Sequence, residues 1–472
     1  MEKLLIKASI FEVFEQLKQK ISESRRGLDA PPSHCLFRCW PLPLRERGGL
    51  ARIYVEVFGC SANVADAEMV SGLLMQAGHK IVNGSEEADA FVVLTCTVKT
   101  PTERKVVKRL RWFSDKGVSL VVAGCMPKAQ RELVVEAVPE ASMLGPDDLL
   151  EVVDVVEETL GGNRVEAVSN QATDKTCLPR ARANPVVHIA PISSGCLGSC
   201  SYCIVRRARG SLNSYPTDSI VEDTRRALEG GCREIWVTAE DTAAYRWGGT
   251  RFPQLLEEIS GLPGRFFIRV GMMNPDQAEP ILNELVNAYS SEKVFKFLHV
   301  PVQSGNDDVL RRMRRRYTVD DFRGIVARFR DSFPGLSLST DIICGFPGET
   351  EEQFMDSVRL VEEVEPDVLN ISRFWPRPGT EAEGMDGQLH GRETKKRSRM
   401  LSALWRRLSF ERNRGWTGWR GDILIDEAGR GDSVVGRNFA YKPVVLREPV
   451  DLGEFVEVEI TRAGRGYLLG KI

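Results

Sequence analysis

The sequence has almost no net charge, no long apolar run and no secretory leader. Its 64 lysines and arginines nearly balance 66 aspartates and glutamates, so contact with a polyanion would have to depend on a local cluster of charge. No stretch of about 18 apolar residues could cross a bilayer, and the N-terminal residues do not follow the signal-peptide pattern. We therefore expect a cytoplasmic protein with no membrane partner.

The chain contains 11 cysteines, and the expected compartment argues against disulfide bonds between them. Disulfides are rare in a reducing cytosol, where clustered cysteines more often bind metals or act as reactive thiols. With 472 residues the chain is too long for a single hydrophobic core, and we expect about three domains.

Three of these cysteines, Cys196, Cys200 and Cys203, follow one another at C-x3-C-x2-C spacing. Thiolates are the soft ligands that iron–sulfur clusters prefer, and three of them on a [4Fe–4S] cube leave one iron open. The alternatives are a zinc knuckle or three buried structural thiols. Zinc would need a fourth ligand nearby, and the spacing of His188, the nearest histidine, matches no familiar zinc motif.

The same spacing, with Tyr202 directly before the last cysteine, resembles the signature of the radical S-adenosylmethionine (SAM) superfamily. The resemblance implies that the open iron binds the amino and carboxylate groups of SAM. It also implies that the reduced cluster cleaves SAM to a 5′-deoxyadenosyl radical, which makes the three cysteines catalytic as well as metal-binding.

From about residue 51 the sequence alternates between predicted strands and helices. We predict strands at Ile53–Phe58, Ala90–Thr95 and Ser119–Ala123, and helices at Asp66–Gly78 and Thr102–Lys116. Alternation of this kind is typical of a doubly wound α/β domain with a parallel sheet.

Each of the three predicted strands runs into a cysteine: Cys60, Cys96 or Cys125. The carboxyl ends of parallel strands line the crevice in which open α/β sheets bind ligands. One cysteine at a strand end is usually a small buried residue, but three in equivalent positions predict a convergent site. We interpret them as the ligands of a second iron–sulfur cluster with an open iron.

The central part of the chain repeats a strand–loop–helix unit six times. The predicted strands are His188–Ser193, Glu234–Thr238, Phe266–Val270, Phe297–Val302, Ser337–Ile343 and Val368–Phe374. The predicted helices are Ser219–Glu229, Phe252–Ile259, Asp276–Tyr289, Asp320–Phe333 and Thr350–Val364. Six such units predict a partial (β/α)6 TIM-type barrel, whose active site lies on the loops after the strands.

Two side chains of this barrel are candidates to bind SAM. Glu240, after the second strand, could accept a charge-assisted hydrogen bond from the SAM ammonium group. Its alternative role is to cap a helix together with Asp241. Arg269 is a candidate to pair with the SAM carboxylate.

Two basic segments and a run of short strands occupy the rest of the chain. Five arginines surround Met313, and residues 392–420 are rich in lysine and arginine with three interleaved tryptophans. Such segments favour RNA contact, whereas the alternative is a solvated helix face with Leu401, Leu404, Trp405 and Leu408 packed inward.

Five short strands follow and predict a small β-barrel related to oligonucleotide-binding barrels. The predicted strands are Gly421–Asp426, Ser433–Asn438, Lys442–Leu446, Phe455–Thr461 and Tyr467–Lys471.

Three segments, Phe58–Asn63, Thr95–Lys99 and Ala123–Pro127, resemble the N-terminal domain of methylthiotransferases. In that family the three cysteines of these segments bind an auxiliary [4Fe–4S] cluster that handles the sulfur being inserted. Leu94 departs from the family, which commonly has asparagine at that position, but the cysteine ligand itself is unaffected.

The central domain resembles one subgroup, the archaeal and eukaryotic tRNA methylthiotransferases that act on N6-threonylcarbamoyladenosine. The segments that carry this resemblance are Gly195–Gly198, Ala208–Pro216, Glu234–Tyr245, His299–Ser304 and Asp341–Thr350. Ile204-Val205 departs from the subgroup and is closer to its bacterial relatives. The last strands resemble the TRAM domain, which binds tRNA.

The resemblance extends from about residue 51 to the last residue and implies the organisation of the chain. We predict an N-terminal extension (1–50), an α/β domain with the auxiliary cluster (51–162), a linker (163–185), a radical SAM core (186–412) and a TRAM barrel (413–472). The implied cofactors are two [4Fe–4S] clusters and SAM. The implied partners are the anticodon stem-loop of tRNA and an electron donor such as flavodoxin or ferredoxin, and we expect a monomer.

The implied function is conversion of N6-threonylcarbamoyladenosine at position 37, beside the anticodon, to its 2-methylthio derivative. Two alternatives stay open at this point. The first is a methylthiotransferase for isopentenyladenosine in tRNA or for a ribosomal-protein aspartate. The second is a non-catalytic iron–sulfur protein that binds RNA.

Overall fold

The computed structural model describes residues 50–472, which divide into two compact units. The first unit contains the described chain up to Pro185 together with Arg207–Gly210, and the second contains Val186–Arg206 and Ser211–Ile472. Apart from Leu50, the predicted N-terminal extension lies outside the described residues. Within residues 50–472, no helix combines the length and the apolar character that a membrane span requires.

The first unit is built on a six-stranded sheet in which all pairs are parallel, with strand order β2-β1-β3-β4-β5-β6. The strands are β1 (Arg52–Val57), β2 (Lys80–Ile81), β3 (Ala90–Thr95), β4 (Ser119–Gly124), β5 (Ser142–Leu144) and β6 (Glu166–Ala167). Every residue of β3 is buried, as expected for a central parallel strand that is covered on both faces. The predicted α/β architecture is confirmed.

Within residues 50–185, five helices accompany this sheet. They are α1 (Ser61–Gln76), α2 (Thr100–Ser114), α3 (Cys125–Ala129), α4 (Arg131–Ala137) and α5 (Val152–Leu160), with short 3₁₀ turns at Ser85–Glu87 and Leu149–Glu151. Helix α2 buries Val106, Leu110 and Phe113, which lie on one stripe because they are four and three residues apart. The sheet therefore has an apolar core against its helices.

The second unit contains six parallel strands in two groups of three, with orders β13-β10-β7 and β14-β15-β16. These strands are β7 (Val187–Pro191), β10 (Glu234–Thr238), β13 (Phe267–Val270), β14 (Phe297–His299), β15 (Ser337–Cys344) and β16 (Val368–Arg373). A parallel bridge between Ile268 and Val294 joins β13 to the segment before β14. The strands thus neighbour one another in chain order, and the predicted partial TIM-type barrel is confirmed.

Helices follow the strands of the barrel. They are α6 (Val205–Arg209), α7 (Thr217–Glu229), α8 (Phe252–Ser260), α9 (Pro275–Ala278), α10 (Leu282–Tyr289), α11 (Asp307–Arg312), α12 (Val319–Ser332), α13 (Glu351–Val364) and α14 (Gly391–Arg414), with 3₁₀ turns at Thr242–Ala244, Glu279–Ile281 and Glu381–Glu383. Two short antiparallel pairs, β8 (Ser193–Ser194) with β9 (Asn213–Ser214) and β11 (Arg246–Trp247) with β12 (Thr250–Arg251), lie in the loops. The continuous helix predicted over Asp276–Tyr289 is wrong, because Pro280 cannot donate a backbone hydrogen bond and the chain passes through a 3₁₀ turn there.

The last part of the second unit is a closed barrel with strand order β17-β18-β19-β21-β20. Its strands are β17 (Arg420–Ala428), β18 (Val434–Arg437), β19 (Pro443–Leu446), β20 (Phe455–Ala463) and β21 (Leu468–Lys471). Alternate residues such as Ile423 and Ile425 are buried inside it, which is the period of two that a strand imposes. The five predicted strands are confirmed.

A buried carboxylate joins this barrel to the partial (β/α)6 barrel. Asp367 accepts hydrogen bonds from Lys442 at 2.6 Å and from Arg412 at 2.9 Å, and also from the backbone N–H of Leu338 at 2.8 Å. Burial alone would raise the pKa of Asp367, but Lys442 and Arg412 hold that pKa below its usual value. The resulting stabilisation is present above about pH 4 and is lost as the pH falls through the lowered pKa.

We expect the substitution Asp367→Asn to lower the free energy of unfolding by about 3 kcal/mol, because it leaves the buried Lys442 and the partly buried Arg412 without their counter-charge. Urea unfolding followed by tryptophan fluorescence measures the change. The control is Asp320→Asn, since the Asp320 side chain is 87% exposed in its ion pair with Arg323. Equal unfolding midpoints for the two variants would contradict the assigned role of Asp367.

Candidate metal centres

The three cysteines of the first unit lie at the carboxyl ends of three neighbouring strands. Cys60 follows β1 and precedes α1, Cys96 directly follows β3, and Cys125 directly follows β4 as the first residue of α3. Because β1, β3 and β4 are adjacent and parallel, the three side chains come together, as their positions in the sequence predict.

Two glycines provide the space in which these cysteines approach one another. Gly59 has φ +122°, and a Cβ there would lie 2.9 Å from the Cβ of Cys96 and 3.2 Å from its Sγ. Gly124 has φ +84°, and a Cβ there would lie 2.9 Å from the backbone N and O of Thr95. Both positions combine a left-handed backbone with contact too close for any side chain.

Burial distinguishes the three thiols from one another. Cys60 is exposed, whereas Cys96 and Cys125 are buried. Burial raises the pKa of Cys125 to about 12, although the charge of the nearby Arg209 opposes this rise. Without a metal ion to stabilise the thiolate, Cys125 is therefore protonated at neutral pH.

Asn63 and a buried ion cluster support this cysteine site from behind. Asn63 Nδ2 donates to the carbonyl oxygens of Phe58 at 2.7 Å and Thr95 at 2.8 Å. Its Oδ1 accepts from Arg209 at 2.6 Å and lies 3.7 Å from the Sγ of Cys125. Asn63 thereby ties the loops after β1 and β3 to the cysteine after β4.

Arg209 belongs to the short segment of the first unit that lies far along the chain. Its guanidinium is 2.8 Å from Asp66, which also accepts from Lys175 at 2.7 Å, and all three side chains are buried. Burial alone would raise the pKa of Asp66, but Arg209 and Lys175 hold that pKa below its usual value. No sequence pattern points to a role for Arg209 or Lys175, since a cation that becomes buried has the same local sequence features as one on the surface.

The second cysteine set lies on the loop that follows β7 and β8. The backbone N–H of Gly198 lies 3.2 Å from the Sγ of Cys196. A Cβ on Gly198 would lie 3.3 Å from the Sγ of Cys196 and 3.6 Å from that of Cys200. The backbone N–H of Cys203 donates to the carbonyl of Cys200 at 3.1 Å, so the loop folds its sulfurs toward a common region.

The chemistry of both donor sets fits iron–sulfur clusters. Each set offers three thiols and a glycine cradle, and burial raises the pKa of Cys203 to about 12 and that of Cys196 to about 11. A bound cation would offset that cost by stabilising the thiolates. Among residues 50–472, no three His, Cys, Asp or Glu side chains are arranged to close on a single metal ion. In a cube, by contrast, each thiolate binds a different iron.

A hydrogen-bonded chain of side chains leads away from Cys200. Arg315 Nη1 lies 3.2 Å from the Sγ of Cys200, and its Nη2 donates to Asn274 Oδ1 at 2.6 Å. Asn274 in turn donates to Asp241 from Nδ2 at 2.7 Å and from its backbone N–H at 3.1 Å. Burial raises the pKa of Asp241 to about 7.

The two predicted SAM contacts lie in different surroundings. Glu240 lies two residues after the end of β10. The negative charges of Asp241 and Glu240 both raise the pKa of Cys196. Arg269 lies within β13, with its guanidinium carbon 5.1 Å from the ring centre of Trp236 and 5.5 Å from that of Tyr441. Both SAM assignments stay predictions.

The two basic segments differ in how many of their cations are available. In the first, Arg312 donates to the carbonyl of Pro347 and Arg315 points to the cysteine loop, so this segment is only partly a surface for RNA. In the second, α14 buries Leu401, Leu404 and Leu408, and Trp405 packs against the same core. The inward face predicted for α14 is confirmed.

Three family models match successive parts of the chain. The Radical SAM superfamily matches residues 190–361, the Uncharacterized protein family UPF0004 matches residues 52–145, and the TRAM domain matches residues 418–472. The Radical SAM superfamily implies SAM and one [4Fe–4S] cluster as cofactors.

Curated relatives match nearly the whole described chain. A probable threonylcarbamoyladenosine tRNA methylthiotransferase of Pyrococcus horikoshii is 42% identical over 427 residues, which is 90% of this chain and 100% of the relative. The corresponding protein of Methanothermobacter thermautotrophicus is 44% identical over 424 residues, 89% of this chain and 99% of the relative. The threonylcarbamoyladenosine tRNA methylthiotransferase of Homo sapiens is 36% identical over 434 residues, 90% of this chain and 74% of the relative.

Solved structures share the fold at low sequence identity. TsrM, a radical S-adenosylmethionine methyltransferase from Kitasatospora setae, superposes with a TM-score of 0.53 at 14% identity, covering 71% of this chain and 75% of that one. OxsB, a cobalamin-dependent S-adenosylmethionine radical enzyme, gives a TM-score of 0.51 at 12% identity, covering 83% of this chain and 66% of that one.

The burial of the first cysteine set predicts unequal alkylation in the folded, metal-free protein. At pH 8 we expect iodoacetamide to modify exposed Cys60 at least about ten times faster than Cys96 or Cys125, because only an accessible thiolate reacts. Peptide mass spectrometry over a time course measures the three rates. In concentrated urea the rates should become equal, and equal rates in the folded protein would contradict the arrangement.

Proposed function

Because the chain belongs to the threonylcarbamoyladenosine tRNA methylthiotransferase family, we propose that it methylthiolates N6-threonylcarbamoyladenosine at position 37 of tRNA. The observation that carries the proposal is the match to curated relatives, 36% to 44% identical over about 90% of the chain. The presence of two separate three-cysteine sets supports it, since both halves of the chemistry, radical formation and sulfur insertion, then have a site.

In this proposal Cys196, Cys200 and Cys203 bind the radical SAM cluster. When bound, the reduced cluster and SAM supply the 5′-deoxyadenosyl radical that removes the hydrogen at C2 of the adenine. Glu240 is assigned to the ammonium group of SAM, because its carboxylate is close enough to the cysteine loop to raise the pKa of Cys196 and can accept a charge-assisted hydrogen bond. Arg269 is a weaker candidate for the carboxylate, since its guanidinium lies against Trp236 and Tyr441.

The first unit is assigned to sulfur insertion. Cys60, Cys96 and Cys125 would hold the auxiliary [4Fe–4S] cluster, and the family's chemistry has that cluster present the sulfur, with the methyl group coming from a second SAM. Two of these cysteines are buried and one is exposed, which leaves one side of the site open to a substrate. A flavodoxin- or ferredoxin-type protein would deliver the electrons.

The domain limits and the RNA-binding surface belong to the same proposal. We assign residues 51–162 to the auxiliary-cluster domain, 163–185 to a linker, 186–412 to the radical SAM core and 413–472 to the tRNA-binding TRAM barrel. On α14, Lys395, Arg399 and Arg406 are exposed and share one stripe, because steps of four and seven residues return to the same helix face. Within residues 50–472 these three cations form no ion pair, so they are available to phosphates.

The activity is tested in a host that lacks the modification and expresses the full chain. Nucleoside mass spectrometry of its tRNA should show 2-methylthio-N6-threonylcarbamoyladenosine, which should disappear with Cys196→Ala and with Cys125→Ala. The matched control is Cys232→Ala, since Cys232 is a buried cysteine of the barrel outside both sets. A methylthio group on a different adenosine would show that the substrate assignment is wrong. The absence of any new nucleoside from the tRNA would contradict the proposal.

The RNA surface predicts the salt dependence of tRNA binding. We expect the triple change Lys395→Gln, Arg399→Gln and Arg406→Gln to flatten the plot of log K against log salt by about 2 to 3, since each phosphate contact contributes about 0.9 to the slope. Filter binding between 50 and 200 mM salt, about the range in which such slopes are resolved, provides the measurement.

The control for the salt series neutralises three cations that already pair with carboxylates, by Arg225→Gln, Arg323→Gln and Arg359→Gln. This control removes the same number of positive charges, so the two triple variants have equal net charge and differ in where those charges are removed. Equal slopes for the two triple variants would exclude the α14 stripe from the tRNA interface.

A further inference from the structure

Arg315 contacts the radical SAM cysteine loop from 115 residues further along the chain. Its Nη1 lies 3.2 Å from Cys200 Sγ, its Nη2 donates to Asn274 Oδ1 at 2.6 Å, and its Nε donates to the Tyr317 hydroxyl at 2.8 Å. All three nitrogens of the guanidinium are thus directed at a partner. A planar group held at three points has one orientation.

The partner that orients Arg315 is itself held in one orientation. Asn274 and Asp241 are buried, and Asp241 accepts from both the side-chain and the backbone nitrogen of Asn274. If the amide were turned over, its Nδ2 would face the guanidinium and its Oδ1 would face the carboxylate, which is unfavourable on both sides. The oxygen of Asn274 therefore faces Arg315.

The backbone also turns Arg315 away from the surface run of arginines. Helix α11 ends in a Schellman motif, in which Arg314 N–H bonds to the carbonyl of Arg311 and Arg315 N–H to that of Leu310. Arg314 stands at the position that glycine usually occupies, with φ +57°. The left-handed conformation is strained for an arginine, and the turn that requires it places the next side chain against Cys200.

A cation that donates to a cysteine sulfur changes the energetics of a cluster held there. Hydrogen bonds to the sulfurs and nearby charge are among the factors that set the reduction potential of iron–sulfur clusters. Reduction adds negative charge, so a fixed guanidinium favours the reduced state. In a site of low dielectric constant this effect is larger than it would be in water.

We propose that Arg315 is a positioning residue of the radical SAM site, which holds the sulfur of Cys200 and raises the reduction potential of the cluster bound there. The proposal rests on the proposed ligation of that cluster by Cys196, Cys200 and Cys203. Arg312, three residues earlier, does not take part in this network. Its guanidinium instead donates to the carbonyl of Pro347 at 2.8 Å and to Gln353 Oε1 at 3.0 Å.

The test measures the midpoint potential of one cluster in full-length protein without SAM. The background carries Cys60→Ala, Cys96→Ala and Cys125→Ala, so that only the radical SAM set can bind a cluster. Electron paramagnetic resonance during a redox titration then follows that cluster alone. We expect Arg315→Gln to lower the potential and Arg315→Lys, which keeps the charge but loses the planar donor group, to lower it less.

The matched control is Arg312→Gln, which removes the same charge from the same segment and should leave the potential near that of the background protein. Equal potentials for Arg315→Gln and Arg312→Gln would overturn the proposal. If Arg315→Gln does not retain a cluster, Arg315→Lys decides, and a potential equal to the background would overturn it.

Two further outcomes separate this proposal from alternative explanations. A change in SAM affinity with no change in the SAM-free potential would make Arg315 a SAM-binding residue and would overturn the proposal. A signal that survives Cys200→Ala in the same background would show that the ligand assignment, and not the role of Arg315, has failed.

Discussion

The shared edge of neighbouring parallel strands is the constraint on which both cysteine sites depend. Parallel strands that pair side by side end together, so the residues that follow them meet however far apart they lie in sequence. In the first unit, β1, β3 and β4 are such neighbours, and each is followed by a cysteine. In the second unit, β7, β10 and β13 are neighbours, and they are followed by the Cys196 loop, by Asp241 and by Asn274. The hydrogen-bonded chain from Asp241 to Cys200 is thus a consequence of strand order, completed by Arg315 from a later helix end.

The long strands and helices were predictable because buried strands and amphipathic helices leave clear periodic patterns. The run Ala90–Thr95 is apolar throughout apart from its last residue and is fully buried, and in the last barrel β19 and β20 bury alternate residues, Val444 and Leu446 in one and Val458 and Ile460 in the other. Strands β2, β5 and β6 have only two or three residues, which is too short for any period to show. Such strands form because a neighbouring strand is already in place to pair with them. That pairing depends on tertiary structure and leaves no pattern in the local sequence.

The two cysteine sets were predictable from the sequence, but the side chains that support them were not. Spacing singled out Cys196, Cys200 and Cys203, and equivalent positions after strands singled out the other three cysteines, as candidate ligands. The supporting cations carry no comparable pattern. Arg315 stands in a run of arginines that reads as a surface patch, and only the left-handed turn at Arg314 directs it inward. Arg209 similarly looks like one cation among several after the cysteine loop, whereas in the structure it is buried against Asp66.

The two sites also differ in how much positive charge reaches a sulfur. In the first unit the guanidinium of Arg209 lies 2.8 Å from Asp66 and donates to the amide oxygen of Asn63, and its charge lowers the pKa of Cys125. In the second unit Arg315 contacts Cys200 directly and is linked to a carboxylate, Asp241, through the amide of Asn274. Within residues 50–472 Arg315 forms no ion pair of its own. Under the proposed function, the site that must accept an electron is therefore the one whose neighbouring cation forms no ion pair. The cation beside the site assigned to sulfur insertion is paired with Asp66, so less of its field is left to act on the sulfurs.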